Sequence, residues 1–454
     1  MPTPATASAR PPEDRCPGAL RAHRAADGLL VRVRLPGGQL RPEQLRVLAG
    51  LAEVEAGGGL ELTSRANLQL RALPDDAAVR RVADRIAAAG LLPTATHERV
   101  RNLLASPLSG RDRAGRLDVR PLVRDLDAAL RGAADLASLS GRFLFALDDG
   151  RHDVAALGAD LCWTGGSGVL WLAGTDTGLR AGPPDAVELL IAAARAFLRV
   201  RGDRRDLWRL ADLLDGPAQV TAALDRPAET PDDARPTRAE RLPVVRRDRP
   251  TPVGAHPGGV AVAGARFGRL TADQARLLAG IATTDEIIVT PWRSLVLDTD
   301  GPDIVGRLAA AGLLVDPASP WLGVTACTGR PGCGSALADV RRDVTEALTA
   351  PAVPGGTDPP VGADVSVGTD PPVGADVSVG TDPPVGADVS VGTDPPVGEP
   401  LPVHVVGCDR CCGRPAGEAV LAVATGTGYR IEAGGQSWHG TPPAALAARA
   451  GRQT

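Results

Sequence analysis

One pattern is written twice in this chain. "LRPEQLRVLAGLA" (40–52) resembles "LTADQARLLAGIA" (270–282), each a polar start followed by apolar residues at helical spacing. "LELTSRANLQL" (60–70) parallels "IIVTPWRSLVL" (287–297), both with the alternation of a strand. "AAAGLL" closes a helix on a glycine at 87–92 and again at 309–314. A strand–helix–strand–helix unit that occurs twice restricts the chain to two related α+β halves. The copies differ in polarity: Arg65 stands where the second copy has Trp292, and Asn67 where it has Ser294. Polar groups kept in one copy point to a ligand cleft between the halves.

The stretches around the repeat are of another kind. Residues 1–26 are rich in Pro, Ala and Arg and read as a flexible N-terminal segment, and 226–257 reads as a linker. "GTDPPVGADVSV" begins at Gly356, Gly368 and Gly380, with a truncated copy at Gly392. Asp-Pro-Pro and glycine in every unit cannot continue a helix and have little to bury. Residues 356–398 are therefore expected to be a disordered low-complexity insertion.

A net charge of −4 and a pI near 5.9 argue against a nucleic-acid partner. No apolar run approaches the length of a membrane span, and no basic start followed by an apolar run marks a secretion signal. Seven cysteines, an odd number, suit a reducing compartment, so a cytoplasmic protein is expected. Lysine is absent and arginine abundant, which weakens any single arginine as a signal. The two asparagines, Asn67 and Asn102, carry more information.

Four cysteines form a split quartet: Cys327 and Cys333 in C-x5-C, and Cys408 and Cys412 in C-x3-C, with Cys411 as a competing neighbour. Four thiolates hold either zinc or a cubane iron–sulfur cluster. Zinc sites use tight knuckles of two to four intervening residues at both ends, and the five-residue gap suits the larger [4Fe-4S] object. Gly329, Gly332, Gly334 and Gly407 let backbone amides approach the sulfurs, and Ser335 is read as the cap of a helix starting after Cys333.

This cysteine pattern resembles the cluster motif of the sulfite/nitrite reductase superfamily. "LTSRANLQLRAL" (62–73) is similar to its T-x-R-x-x-x-Q strand, and "RVRNLLASPLSG" (99–110) to its R-N-(I/V)-x-x-x-P segment. The resemblance implies an α+β fold of two pseudo-repeated halves, each a ferredoxin-like unit (27–95 and 258–318) followed by a sulfite-reductase-type α+β domain (96–225 and 319–454). It assigns the cluster to Cys327, Cys333, Cys408 and Cys412, with Cys412 shared with an adjacent iron centre, sirohaem in the reductases. Arg65 and Arg101 match two cations that surround a small oxyanion there. In "SGRFLFALDDG" (140–150) Arg142 stands for the first cation of the family's K-x-K pattern, but Leu144 occupies the second position.

That departure weighs against an oxyanion reductase. "CPG" at 16–18 and the chain length resemble the precorrin-3B synthase branch of aerobic cobalamin biosynthesis. The branch implies a monooxygenase that hydroxylates precorrin-3A at C20 with O2 and forms a lactone. Its implied cofactors are a [4Fe-4S] cluster and a mononuclear non-haem iron. Electrons are expected from NAD(P)H through a separate ferredoxin or flavoprotein, since no dinucleotide fingerprint is present. On this reading Arg65, Arg101 and Arg142 are catalytic-site residues that grip substrate carboxylates, and Gln69 and Asn102 add neutral hydrogen bonds. The alternative is a sirohaem- and Fe4S4-dependent nitrite or sulfite reductase. Ligands for a two-His–one-carboxylate iron would have to come from His23, His97, His152, His256, His404 and His439, and no spacing among them stands out.

Overall fold

The two copies of the repeated unit fold into matching five-stranded sheets and exchange a strand. The structure, a computed structural model, describes residues 14, 16–224, 251–301, 303–350, 401–415 and 418–448. The twelve-residue repeat and most of the linker lie outside these residues. In the first sheet His23–Ala25, Gly28–Val33, Leu68–Leu73 and Gly59–Leu62 stand side by side, and Arg269–Thr271 from the second copy pairs onto Gly59–Leu62. In the second sheet Gly254–His256, Val260–Gly264, Ser294–Thr299 and Ala282–Val289 are completed by Gln39–Leu40 from the first copy. Each copy thereby covers an edge of the other that would otherwise expose unpaired backbone groups.

Helices Pro42–Glu55 and Ala272–Ile281 follow the exchanged strands and pack into one core shared by both copies, with Leu45, Leu48, Leu278 and Ala279 buried. Thr271 caps the second helix reciprocally with Gln274, at 3.1 and 2.9 Å. In the strand Gly28–Val33, Val31 and Val33 face this core, and the alternation sends Arg32, and Arg34 just beyond, to the opposite face.

Each unit is followed by a mixed sheet of one topology. Leu103–Ala105, Phe145–Asp148 and Leu161–Thr164 run parallel, then Val169–Leu172 and Thr175–Arg180 run antiparallel. In the second half Val324–Ala326, Val403–Val406 and Val420–Ala424 run parallel, followed by antiparallel Tyr429–Ala433 and Gln436–Gly440. The parallel strands are buried throughout, as strands covered on both faces must be. Phe143, Phe145, Trp163 and Phe197 fill the first core; the second is smaller and mostly valine and alanine.

The chain is thus α+β, as its patterning predicts. Two local expectations change. The first strand begins at His23, inside the stretch read as loose, and the backbone is already fastened at Gly18, whose carbonyl accepts from the Arg32 amide at 2.9 Å. Helix Val340–Thr349 is capped by Asp339, which accepts from the Arg342 amide at 3.2 Å, rather than by Ser335. Among the described residues no helix is long and apolar enough to cross a membrane.

Candidate functional site

The parallel pairing of Val324–Ala326 with Val403–Val406 sets Ala326 opposite Val405, so Cys327 and Cys408 leave neighbouring strands at the same end. The Cys327 amide donates to the Val405 carbonyl at 3.0 Å, and its Sγ accepts from the Gly407 amide at 3.2 Å. The Cys333 loop folds over them: Cys333 N–H bonds Gly329 O at 2.9 Å and Leu337 N–H bonds Gly407 O at 2.7 Å. A Cβ on Gly407 would lie 2.6 Å from that of Ala336, so only glycine lets the loops close this tightly.

After Cys408 the chain turns, and Cys411 adopts φ 46°. That turn separates the two candidates for the fourth position. Cys411 packs against Val406, Leu421 and Val423. Burial raises the Cys412 thiol, and the charges of Cys327, Cys408 and Cys333 raise it further. Cys412 therefore shares the space of the other three thiols, and it is the exposed member of the set. His404 supports it from beneath: fully buried, its Nε2 donates to the Cys412 carbonyl at 3.0 Å and its Nδ1 meets Thr325 Oγ1 at 2.8 Å. Burial pushes its pKa down to about 4, so the ring is a neutral strut.

Thiols held this way for one zinc ion would have to be tightly gathered. Four sulfurs about 2.3 Å from one zinc would lie within about 4 Å of one another. Among the described residues, the group with three or more ligand atoms inside 4.8 Å is Asp148, Asp149 and Asp153, not the thiols. The four cysteines are free thiols on glycine-rich loops, a donor set that would suit a four-thiolate iron–sulfur cluster.

The polar face of the first ferredoxin-like sheet lies against these loops. Register places Arg32, Gln69 and Glu61 in one row across three strands. Arg32 donates to Gln69 Oε1 at 2.6 and 3.1 Å. Arg341, on the helix after Cys333, bonds Glu61 at 2.9 Å and the Cys327 carbonyl at 3.3 Å. Arg71, held by Asp27 at 3.0 Å, reaches the Gly332 carbonyl at 3.0 Å.

Further along this face three guanidiniums stand close together without a carboxylate partner among the described residues. Arg34 is 3% exposed; its Nε and Nη2 bond the carbonyls of Arg99 and Gly141 at 3.2 Å, while Nη1 has no partner. Burial, reinforced by Arg32, brings its pKa to about 9. Arg65 is brought to about 10 by burial and then by Arg209, and it bonds the Arg142 carbonyl at 3.1 Å. Burial also lowers Arg32. Arg142 is exposed and stacks over Trp208 at 4.8 Å. Asp14 ties the Cys16 segment onto this wall, accepting from the Cys16 and Gly141 amides at 2.8 and 2.7 Å.

The sequence-predicted residues thus divide. Cys327, Cys333, Cys408 and Cys412 lie on converging loops, and Arg65, Gln69 and Arg142 belong to the arginine-bearing side of the first sheet. Arg101 does not join them: its guanidinium is buried in a two-pronged pair with Asp127, at 2.6 and 3.0 Å. Asn102 is fully buried and bonds the Phe143 carbonyl at 3.2 Å and Asn67 at 3.3 Å. The two asparagines clasp one half-domain to the next. Leu144, 2% exposed, belongs to an apolar cluster with Ala66, Ala146 and Trp292. The histidines stay apart: His97 and His404 have both ring nitrogens engaged, and no two histidines gather with a carboxylate among the described residues. Motif reading missed Arg32 and Arg34, although two arginines at alternate positions in the apolar run "LLVRVRL" are a legible signal.

Comparison with known proteins agrees with this fold. Residues 21–88 match the nitrite/sulfite reductase ferredoxin-like half domain. The chain is 28% identical to a ferredoxin–nitrite reductase of Synechococcus elongatus over 353 residues, 69% of this chain and 68% of that protein. It is 34% identical to a precorrin-3B synthase of Sinorhizobium over 169 residues, 36% of each. Its fold is similar to that of the NirA protein of Mycobacterium tuberculosis, with a TM-score of 0.60 and 19% identity, covering 90% of this chain and 75% of that one. The resemblance to nitrite and sulfite reductases is borne out, and the homologues are enzymes of that superfamily.

Proposed function

We propose, from this kinship and the geometry of the cleft, an iron–sulfur oxidoreductase of the precorrin-3B synthase type, a monooxygenase that hydroxylates precorrin-3A at C20 with lactone formation. The supporting observation is the wall of the cleft. A cage for nitrite or sulfite needs fixed cations on every side of the oxyanion, because each is strong in a desolvated site. Here Leu144 is sealed in an apolar cluster, and Arg101 is neutralised by Asp127. What is left is a spread of desolvated arginines, Arg32, Arg34 and Arg65, with Arg142 at the rim. Guanidiniums without carboxylates of their own suit a macrocycle that brings several.

In this reading Cys327, Cys333, Cys408 and Cys412 would hold a [4Fe-4S] cluster, which would supply single electrons when bound, and exposed Cys412 would be the thiolate available to a second iron. Arg65 and Arg142 orient the substrate through its acids, and Gln69 keeps Arg32 extended into the cleft. O2 is the co-substrate, and electrons come from NAD(P)H through a separate ferredoxin or flavoprotein.

The longer match to ferredoxin–nitrite reductase supports a second reading, a sirohaem-containing nitrite or sulfite reductase. One experiment separates the two. Protein purified without oxygen is assayed for iron, sulfide and bound tetrapyrrole, then offered either precorrin-3A with O2 and a reduced donor, or nitrite or sulfite with the same donor. Oxygen-dependent gain of one oxygen atom by the macrocycle supports the synthase. Sirohaem absorption bands with turnover of the oxyanion overturn it.

A further inference from the structure

The turns at Thr63–Asn67 and Thr290–Ser294 are the same structure built twice. Thr63 and Thr290 amides donate to the carbonyls of Asn67 and Ser294 at 2.9 Å in both. Ala66 and Arg293 amides donate to the carbonyls of Thr63 and Thr290 at 3.1 Å in both. Ala66 and Arg293 hold the same left-handed position, at φ 55° and 61°. The first copy shows that the turn needs no arginine. A long side chain in the left-handed region is uncommon and costs free energy that the fold must over-determine.

Arg293 carries a second cost. Its stem passes over Gly268, and its guanidinium is largely desolvated, which lowers its proton affinity; repulsion from Arg341 adds to this and Glu61 offsets part. No side chain or carbonyl among the described residues bonds it. A half-buried cation on a left-handed backbone, with no bonded partner among the described residues, is stabilised by a nearby anion. Its surroundings say what that is. Arg293 acts on His404, whose ring bonds the Cys412 carbonyl, and on the Glu61–Arg341 pair that bonds the Cys327 carbonyl. The cation therefore lies near the side chains that hold the Cys412 and Cys327 carbonyls.

We propose that Arg293 is the counter-charge of the cysteine-held cluster and sets its reduction potential. The inference rests on the cluster assignment above. Four thiolates make the oxidised cluster anionic, and reduction adds one more negative charge. A fixed cation nearby stabilises the reduced form more, so removing it disfavours reduction. A full charge acting over roughly 10 Å at an effective dielectric near 20 is worth about a tenfold change in the equilibrium.

The test is an EPR-monitored redox titration of protein reconstituted with iron and sulfide. At the potential where half the wild-type clusters are reduced, Arg293→Gln should lower the ratio of reduced to oxidised cluster about tenfold, and Arg293→Lys should stay within about threefold of wild type. Glu61→Gln removes the offsetting carboxylate and should move the ratio upward. Opposite signs for the Arg293→Gln and Glu61→Gln variants support the proposal. A ratio within twofold of wild type in fully loaded Arg293→Gln overturns it, as does a downward shift in Glu61→Gln. If Arg293→Gln loads poorly, Glu61→Gln still decides the sign. Wild-type protein that takes up no iron and sulfide would instead sink the cluster assignment.

Discussion

Ser106 and Cys327 occupy one position in two sheets of the same topology. Ser106 N–H bonds Leu147 O at 3.2 Å where Cys327 N–H bonds Val405 O at 3.0 Å. Ser106 Oγ accepts from the Asp149 amide at 3.1 Å where Cys327 Sγ accepts from the Gly407 amide at 3.2 Å. Beyond that point the halves part. In the first, fully buried Asp148 accepts from the amides of Gly150, His152, Val154 and Ala155 at 2.8 to 3.2 Å, and Asp153 takes the Ser106 hydroxyl at 2.6 Å. The loop closes on itself and spends its donors internally. In the second, glycines bring the loops together and leave soft thiols facing a common space. Strand ends of one architecture serve as a girder in one half and, on the proposed assignment, as a cofactor cradle in the other, because ligand atoms are free only where the backbone does not use them.

The largest effect should come from exchanging the two residues. Cys327→Ser should leave less than about a tenth of the wild-type iron and sulfide, since a hydroxyl does not replace a cluster-ligating thiolate. Ser106→Cys should gain no iron, its neighbours being carboxylates already satisfied. Metal content measured after reconstitution checks both, and iron uptake at residue 106 would break the comparison.

Next in size is the pH response of the acidic strand end. Burial, followed by the charge of Asp148, raises Asp153 to about 7. The folded state holds the neutral acid while the unfolded chain ionises near the ordinary value of 3.8. The stability from this group is therefore present below about pH 4 and lost as pH rises to about 7, at about 1.4 kcal/mol per unit. Urea titrations across that window should show a falling stability that Asp153→Asn flattens.

A smaller effect sharpens the contrast at the strand entry. Asn102 and Gly323 are counterparts, their carbonyls accepting from Phe145 and Val403 at 3.0 and 2.8 Å. Arg101 accordingly matches Leu322, and Arg101→Ala should cost about 2–3 kcal/mol by leaving Asp127 short of its buried partner. It should leave substrate affinity unchanged. Arg65→Ala should do the reverse, costing about tenfold in tetrapyrrole binding with little loss of stability. Denaturant midpoints and equilibrium binding of the macrocycle distinguish the two.

Much of this was legible beforehand. Hydrophobic period gave the two copies and their elements, because a helix or strand must show one face to a core whatever surrounds it. Cysteine spacing pointed to four candidate ligands, and it left Cys411 and Cys412 open, since both lie one short turn from Cys408. The structure gives Cys411 a left-handed backbone and an apolar neighbourhood that it shares with Cys327, and leaves Cys412 exposed. Arg101 illustrates the opposite failure. Its motif placed it in the cleft, but whether a guanidinium meets a ligand or a carboxylate depends on Asp127, which lies 26 residues away.

The sequence by itself determined a duplicated α+β chain, a split quartet of candidate cysteine ligands and an arginine-rich first half, because these follow from periodicity and from the chemistry of rare residues. The tertiary structure alone decided the strand exchange that joins the copies, the pairing of Arg101 with Asp127, the burial of Leu144, and the place of Arg293 near His404 and the Glu61–Arg341 pair. Those depend on which charges and backbone groups meet across long separations, and local pattern carries no record of such meetings.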